Sequence, residues 1–208
     1  MVSITDSWIS PNYKYSDWIG ADTDKKIEIF QDRINGWQLD IAEQYIENPH
    51  SGFAILSIVL SYFEMIGAFN RGDTKHTGSD EFKDGVCSVF SEFDINRNGS
   101  ELGKLYKLCR CGMYHIAMTR VGILLDGHYD KPLHFENNNW KINPRILLER
   151  LKEHFNNEYV NEIKSDPNKA RNFVNTISQV IPNISSLQIN NSTTNNRALP
   201  SGVILRQI

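Results

Sequence analysis

Apolar residues return every three or four positions from about Asp24 onward. Ile27, Phe30, Ile34, Trp37, Ile41 and Tyr45 lie on one stripe of a helix that ends near Glu47. Asn48 to Gly52 breaks the chain with proline and glycine, and the run from Phe53 to Phe69 is apolar around most of its circumference, which predicts a central helix. A third helix is expected from Asp80 to Phe93, N-capped by Ser79, with Phe82, Val86, Val89 and Phe90 inward. After a polar loop from Asp94 to Ser100, whose last residue caps the next helix, a fourth runs from about Ser100 to Leu125. It faces the core with Leu102, Leu105, Leu108/Cys109, Gly112/Met113, Ile116 and Ile123/Leu124.

Beyond the fourth helix the period shortens. Leu133 to Phe135 and Trp140 to Ile142, separated by Asn137 to Asn139, pair as a short β-hairpin within 133–142. Asn143 followed by Pro144, an N-cap and a proline at N1, opens a helix through Ile163 with Ile146, Leu147, Leu151, Phe155 and Tyr159 inward. Asp166 and Pro167 repeat the signal for a last helix to about Val180. Residues 1–22 carry tryptophans and tyrosines without period and read as an arm over a groove. Residues 183–208 are rich in Asn, Ser and Thr and read as a polar flexible tail whose end, Gly202 to Arg206, could dock. The expected fold is all-α, an antiparallel bundle of about five to six helices over residues 23–182, with the hairpin as its one β element.

Charge narrows the function. A net charge of −3 and a pI near 6.1 do not suit a protein that coats nucleic acid electrostatically, so any contact with RNA is local. Three cysteines, Cys87, Cys109 and Cys111, make no disulfide framework, and one residue between the last two is too few for a zinc knuckle. The start of the chain does not read as a secretory signal, and a reducing cytoplasm is the expected compartment. Ser51 to Phe69 carries Glu64 and serines and is expected to be a buried core helix rather than a membrane span. Asp94, Asn96, Asn98 and Gly99 match the first half of a calcium loop, but Leu105 stands where the bidentate Glu belongs. No histidine set, serine-hydrolase elbow or glycine-rich phosphate loop is visible, so neither metal nor cofactor is expected.

What remains is Arg110 to His115, inside the fourth helix. An always-charged guanidinium and an imidazole that titrates near neutrality are the groups that RNA cleavage without a metal requires. In a straight helix five positions rotate by roughly 140° and rise by about 7.5 Å, so the two converge only through a bend near Gly112 or through a second subunit. Tyr114 either stacks on a base or packs. Cys111, Tyr114, Lys107 and Arg120 are candidate substrate contacts, with Lys104 and Lys107 on a face that could meet an RNA backbone. Glu64 is either a buried partner for an arginine or a residue lining the site.

The segment from Tyr106 to His115, late in a helical bundle of this size, resembles the HEPN superfamily, whose signature is Arg, four to six residues, then His; here the interval is four. The resemblance covers the bundle, about residues 24–180, while its specific part is these few residues. It implies that Arg110 and His115 of two subunits meet at a homodimer interface and cut RNA without metal, in a defence or toxin–antitoxin setting with an antitoxin or other regulatory protein as partner. Two positions depart from the family. Cys111 follows the arginine where Asn, Asp or His is common, and Ala117 stands where toxin members carry a tyrosine that the partner nucleotidylates. The rival expectation is a non-catalytic HEPN-like module that binds a protein or ligand.

Overall fold

In the computed structural model, which describes residues 4–75 and 77–181, the chain is mostly helical with a small three-stranded sheet. The expected tail and its docking end lie outside the described residues. The helices are α1 (Tyr15–Trp18), α2 (Thr23–Ile34), α3 (Asp40–Glu43), α4 (Gly52–Arg71), α5 (Ser79–Val89), α6 (Ile95–Leu105) and α7 (Cys111–Ile116), then α8 (Pro144–Glu153), α9 (Val160–Ser165) and α10 (Pro167–Val180). Helix α4 is the axis, packed against α5, α8 and α10. It is long and apolar enough to cross a membrane by length and composition, and 61% of that stretch is buried inside the fold. Gly67 and Gly85 let α4 and α5 pack backbone to backbone, because a methyl group at either would overlap the carbonyl of Glu81 or of Phe63.

Three π-helical turns interrupt the helices: Asn35–Leu39 between α2 and α3, Tyr106–Arg110 between α6 and α7, and His154–Tyr159 between α8 and α9. Each closes its hydrogen bond over five residues and moves the following side chains around the axis. The consequence is plainest after Ile34, where the next core residues are Leu39 and Ala42, both fully buried, while Ile41 and Tyr45 are exposed at 38% and 48%. The expected straight stripe through Trp37, Ile41 and Tyr45 fails for that reason. The first and third π turns also meet, since Asn35 and Asn156 exchange side-chain hydrogen bonds of 2.9 and 3.2 Å.

Local signals set most helix starts. Asn143 accepts from the backbone N–H groups of Arg145 and Ile146, and Asp166 from that of Asn168, each ahead of a proline in the first turn. Two starts differ from expectation. Ser79 is the first helical residue rather than the cap, and Asp94 caps α6 by accepting from Asn96 and Arg97, so the supposed loop to Ser100 is helix. The fourth helix also stops early, at Ile116, because Ala117 takes a left-handed conformation (φ 54°) with its N–H on the Met113 carbonyl.

Ile123, expected on that helix, lies instead in β1 (Ile123–Leu125). This strand runs parallel to β3 (Asn139–Ile142), which pairs antiparallel with β2 (Leu133–Glu136) in the order β1-β3-β2. The hairpin is where the sequence placed it, turned by Asn137 and Asn138 at φ 49° and 64°. The mostly helical fold with a short β element is thus as expected, and β1 adds a third strand to the hairpin. Trp140, fully buried, ties it to α6 by donating its indole N–H to the Glu101 carbonyl at 2.9 Å. In the N-terminal segment Ile9, Tyr15 and Trp18 join the core cluster.

Candidate functional site

The π turn from Tyr106 to Arg110 positions the arginine. Cys111 donates its N–H to the Tyr106 carbonyl, five residues back, so the turn carries one residue more than an α turn. Arg110, five residues after the fully buried Leu105, is thereby returned toward α4, where Glu64 waits. Its Nε donates to Glu64 Oε2 at 2.8 Å, and Nη2 lies 2.5 Å from the same oxygen. The guanidinium also lies 4.3 Å over the Tyr114 ring, and Tyr114 donates its hydroxyl to the Ser57 carbonyl at 3.4 Å. Helix α7 therefore runs antiparallel to α4, with 110 beside 64 and 114 beside 57. Glu64 is the arginine's buried partner, one of the two roles its sequence position allowed, and its signal was being the one acid of α4.

Burial raises the carboxyl of Glu64 above its usual range, and the hydrogen bond and charge of Arg110 only partly offset this. For Arg110 burial opposes the charge, but Glu64 outweighs it and the guanidinium is held more firmly protonated. The side chains are 21% and 8% exposed, so one edge of the guanidinium still reaches solvent. A guanidinium has five donors, and the two nitrogens bonded to Glu64 leave the Nη1 group uncommitted. Burial and a hydrogen bond to the Cys111 thiol push the Tyr106 phenol up. Cys111 is thus a half-buried neighbour of Tyr106 under the arginine, not a free polar group beside it.

His115 is at the other end of α7. It is exposed, and among the described residues it makes no hydrogen bond, ion pair or ring contact. Within one chain the helix sends Arg110 toward α4 and His115 outward, so the pair is not brought into contact. The irregular turn is 106–110 and Gly112 lies within regular α7, where it admits the returning chain, for a Cβ there would meet the Met118 carbonyl at 2.5 Å. Arg120 donates its backbone N–H to Leu108 at 2.9 Å while its side chain is exposed.

Exposed apolar residues are frequent in the stretch that holds and follows His115. Of eleven large hydrophobic residues exposed among those described, five fall between positions 114 and 124: Tyr114, Ile116, Met118, Val121 and Leu124. Phe53 of α4, 47% exposed, is one turn from Ser57, which Tyr114 touches. Val121 is 98% exposed and stands at the cavity that Lys104 and Lys107 line. Lys107 and Lys104 lie on the side of the π turn that faces the β-hairpin. Among the described residues no group of three His, Cys, Asp or Glu side chains could hold a metal ion.

Comparison of the chain with protein-family models, with curated proteins and with solved structures finds no match in any of the three. The functional reading consequently stands on the motif and its geometry.

Proposed function

We propose that this chain is a metal-independent endoribonuclease of HEPN type, an antiparallel helical bundle that acts as a homodimer with Arg110 and His115 of both copies at a composite site. The observation that carries the reading is the preparation of Arg110. A buried carboxylate and a tyrosine face fix the guanidinium, whose Nη1 group has no partner among the described residues, while His115, likewise without a partner among them, stands on the short helix that follows, next in sequence to the exposed Tyr114 and Ile116. Such a patch suits a second copy, whose α7 would complete the site that one chain leaves open.

The chemistry follows from the groups. The 2′-oxygen of a nucleotide attacks the adjacent phosphorus and loses its proton; the bond to the 5′-oxygen breaks, and that oxygen takes up a proton, leaving a 2′,3′-cyclic phosphate and a 5′-hydroxyl. His115 handles a proton and Arg110 holds the charge on the phosphoryl oxygens. Defence or toxin–antitoxin control, with a regulatory protein as partner, and a cytoplasmic location belong to the same proposal by family resemblance.

A second reading, a non-catalytic module, is favoured by one observation: Glu64 offsets much of the charge that Arg110 would offer a phosphate. Incubation of purified protein with labelled structured RNA in EDTA decides between them. Cleavage that falls by about a hundredfold or more in both Arg110→Ala and His115→Ala is the expected result. Cleavage that survives both substitutions, or no cleavage by an intact wild-type dimer, refutes the catalytic reading.

A further inference from the structure

Behind the π turn lies a cavity of about 460 Å³ that the arginine–histidine pair does not use. Ser100, Lys104, Lys107 and Leu108 stand on its helical wall, and Val121, Gly122, Asn138 and Asn139 on the opposite one. Its shape depends on unusual backbone. Gly122, at φ 103°, keeps the returning chain close to Leu108, where a Cβ would stand 3.2 Å from the Leu108 side chain, and the left-handed Asn137 and Asn138 curl the hairpin over the helix. Lys104 crosses the gap and donates to the Asn138 side-chain oxygen at 2.5 Å.

Charge sets what this cavity accepts. Two ammonium groups, two side-chain amides and a hydroxyl line it beside the apolar Leu108 and Val121, no carboxylate does, and among the described residues neither lysine is in an ion pair. In a chain of net charge −3 that is a local positive site, in which Lys104 is held by Asn138 and the Asn139 amide donates to the Asn137 carbonyl, while Lys107 has no hydrogen-bond partner among the described residues. Lys107 precedes Arg110 by one turn and stands roughly 12 Å along the helix from His115, at 1.5 Å per residue.

We propose that this cavity binds a backbone phosphate of a single RNA strand, on Lys104 and Lys107 with Asn139 and Ser100 as further donors, and so guides the strand toward the Arg110–His115 end of the helix. The proposal rests on the endoribonuclease reading for its direction but concerns binding, not chemistry. Phosphate contacts of this kind fix position without reading sequence.

The test is fluorescence anisotropy with a short labelled uridine oligoribonucleotide on the full chain carrying His115→Ala, so that the probe is not cut, over a range of salt. Each of Lys107→Ala and Lys104→Ala weakens binding about fivefold at about 0.1 M salt and lowers the slope of log K against log salt by about 0.7. Lys107→Arg keeps the affinity. Lys107 is exposed, so its substitution reads binding rather than folding, and matching thermal midpoints check both variants. Unchanged affinity and slope, no RNA binding at all, or lysine-dependent binding of inorganic phosphate alone overturns the proposal. Lysine-dependent RNA binding in a chain whose wild type does not cut leaves the cavity standing and removes the catalytic reading. Cutting that is indifferent to both lysines does the reverse.

Discussion

Removing Arg110 strands a buried carboxylate, and that cost can be worked out without assuming any activity. Glu64 is 8% exposed and receives two donors from a guanidinium that is 21% exposed. Charge-assisted hydrogen bonds contribute about 1.5–3 kcal/mol, and the solvent-reached edge of the arginine puts the pair in the lower half of that range. A double-mutant cycle of Arg110→Ala, Glu64→Ala and both together should therefore give a coupling of about 1.5–2 kcal/mol by urea denaturation at neutral pH. The single losses will be unequal. Without Glu64 the arginine keeps Tyr114 and can turn to water, whereas without Arg110 the carboxyl keeps its burial and loses its partner.

That asymmetry has a pH signature. Burial already raises Glu64, and loss of Arg110 raises it further, so in Arg110→Ala the folded state binds a proton above the pH at which the unfolded chain does. Stability of that variant then rises relative to wild type as pH falls from 7 toward about 5, and the double variant lacks the effect. Additive losses within about 0.5 kcal/mol, or a pH profile of Arg110→Ala parallel to wild type, would refute the claim that Glu64 positions Arg110.

Three further outcomes are expected. His154, buried with Nδ1 2.7 Å from the Tyr62 hydroxyl, is pushed down to about 4 by burial, below an ordinary 6.5; about 3 kcal/mol of stability present above pH 6.5 is lost as pH falls toward 4, and thermal midpoints of His154→Gln should lack most of that slope. Gly67→Ala and Gly85→Ala each force a methyl onto backbone of the facing helix and should cost about 3 kcal/mol or more in chemical denaturation, despite the better helix propensity of alanine; near-neutral effects would mean that α4 and α5 pack less closely than described. Ile116→Asp and Met118→Asp change exposed residues, so monomer stability should hold within about 0.5 kcal/mol while sedimentation shifts from dimer to monomer; a wild type that sediments as a monomer contradicts the dimer.

The sequence made the helices legible wherever one signal acted locally. Apolar residues all round α4, and the Asn143-Pro144 and Asp166-Pro167 starts, need no tertiary context, and the hairpin followed from two short apolar runs around asparagines that tolerate positive φ. Ile123 to Leu125 was harder. Three apolar residues fit a helix end as well as a strand, and only the left-handed Ala117, which no residue type advertises, ends the helix first. Arg110 and His115 could be named from spacing and residue type, but Glu64 and Lys104 acquire their roles from other elements.

The π turns are the deeper reason that spacing misled. A periodic reading assumes a constant angle per residue, and each turn closed over five residues resets that angle for everything after it. At Tyr106–Arg110 the reset decides the site. In an uninterrupted helix a residue five places after the buried Leu105 would be carried roughly 140° away from it, whereas here Arg110 is directed onto the carboxylate of α4. Glu64 in turn repays part of what an irregular helix turn and a buried acid cost, because neither group is left without a partner. The turn, the acid and the arginine therefore form one unit: relaxation of 106–110 to α geometry with all five residues kept would turn Arg110 away from Glu64, even with every side chain of the motif retained.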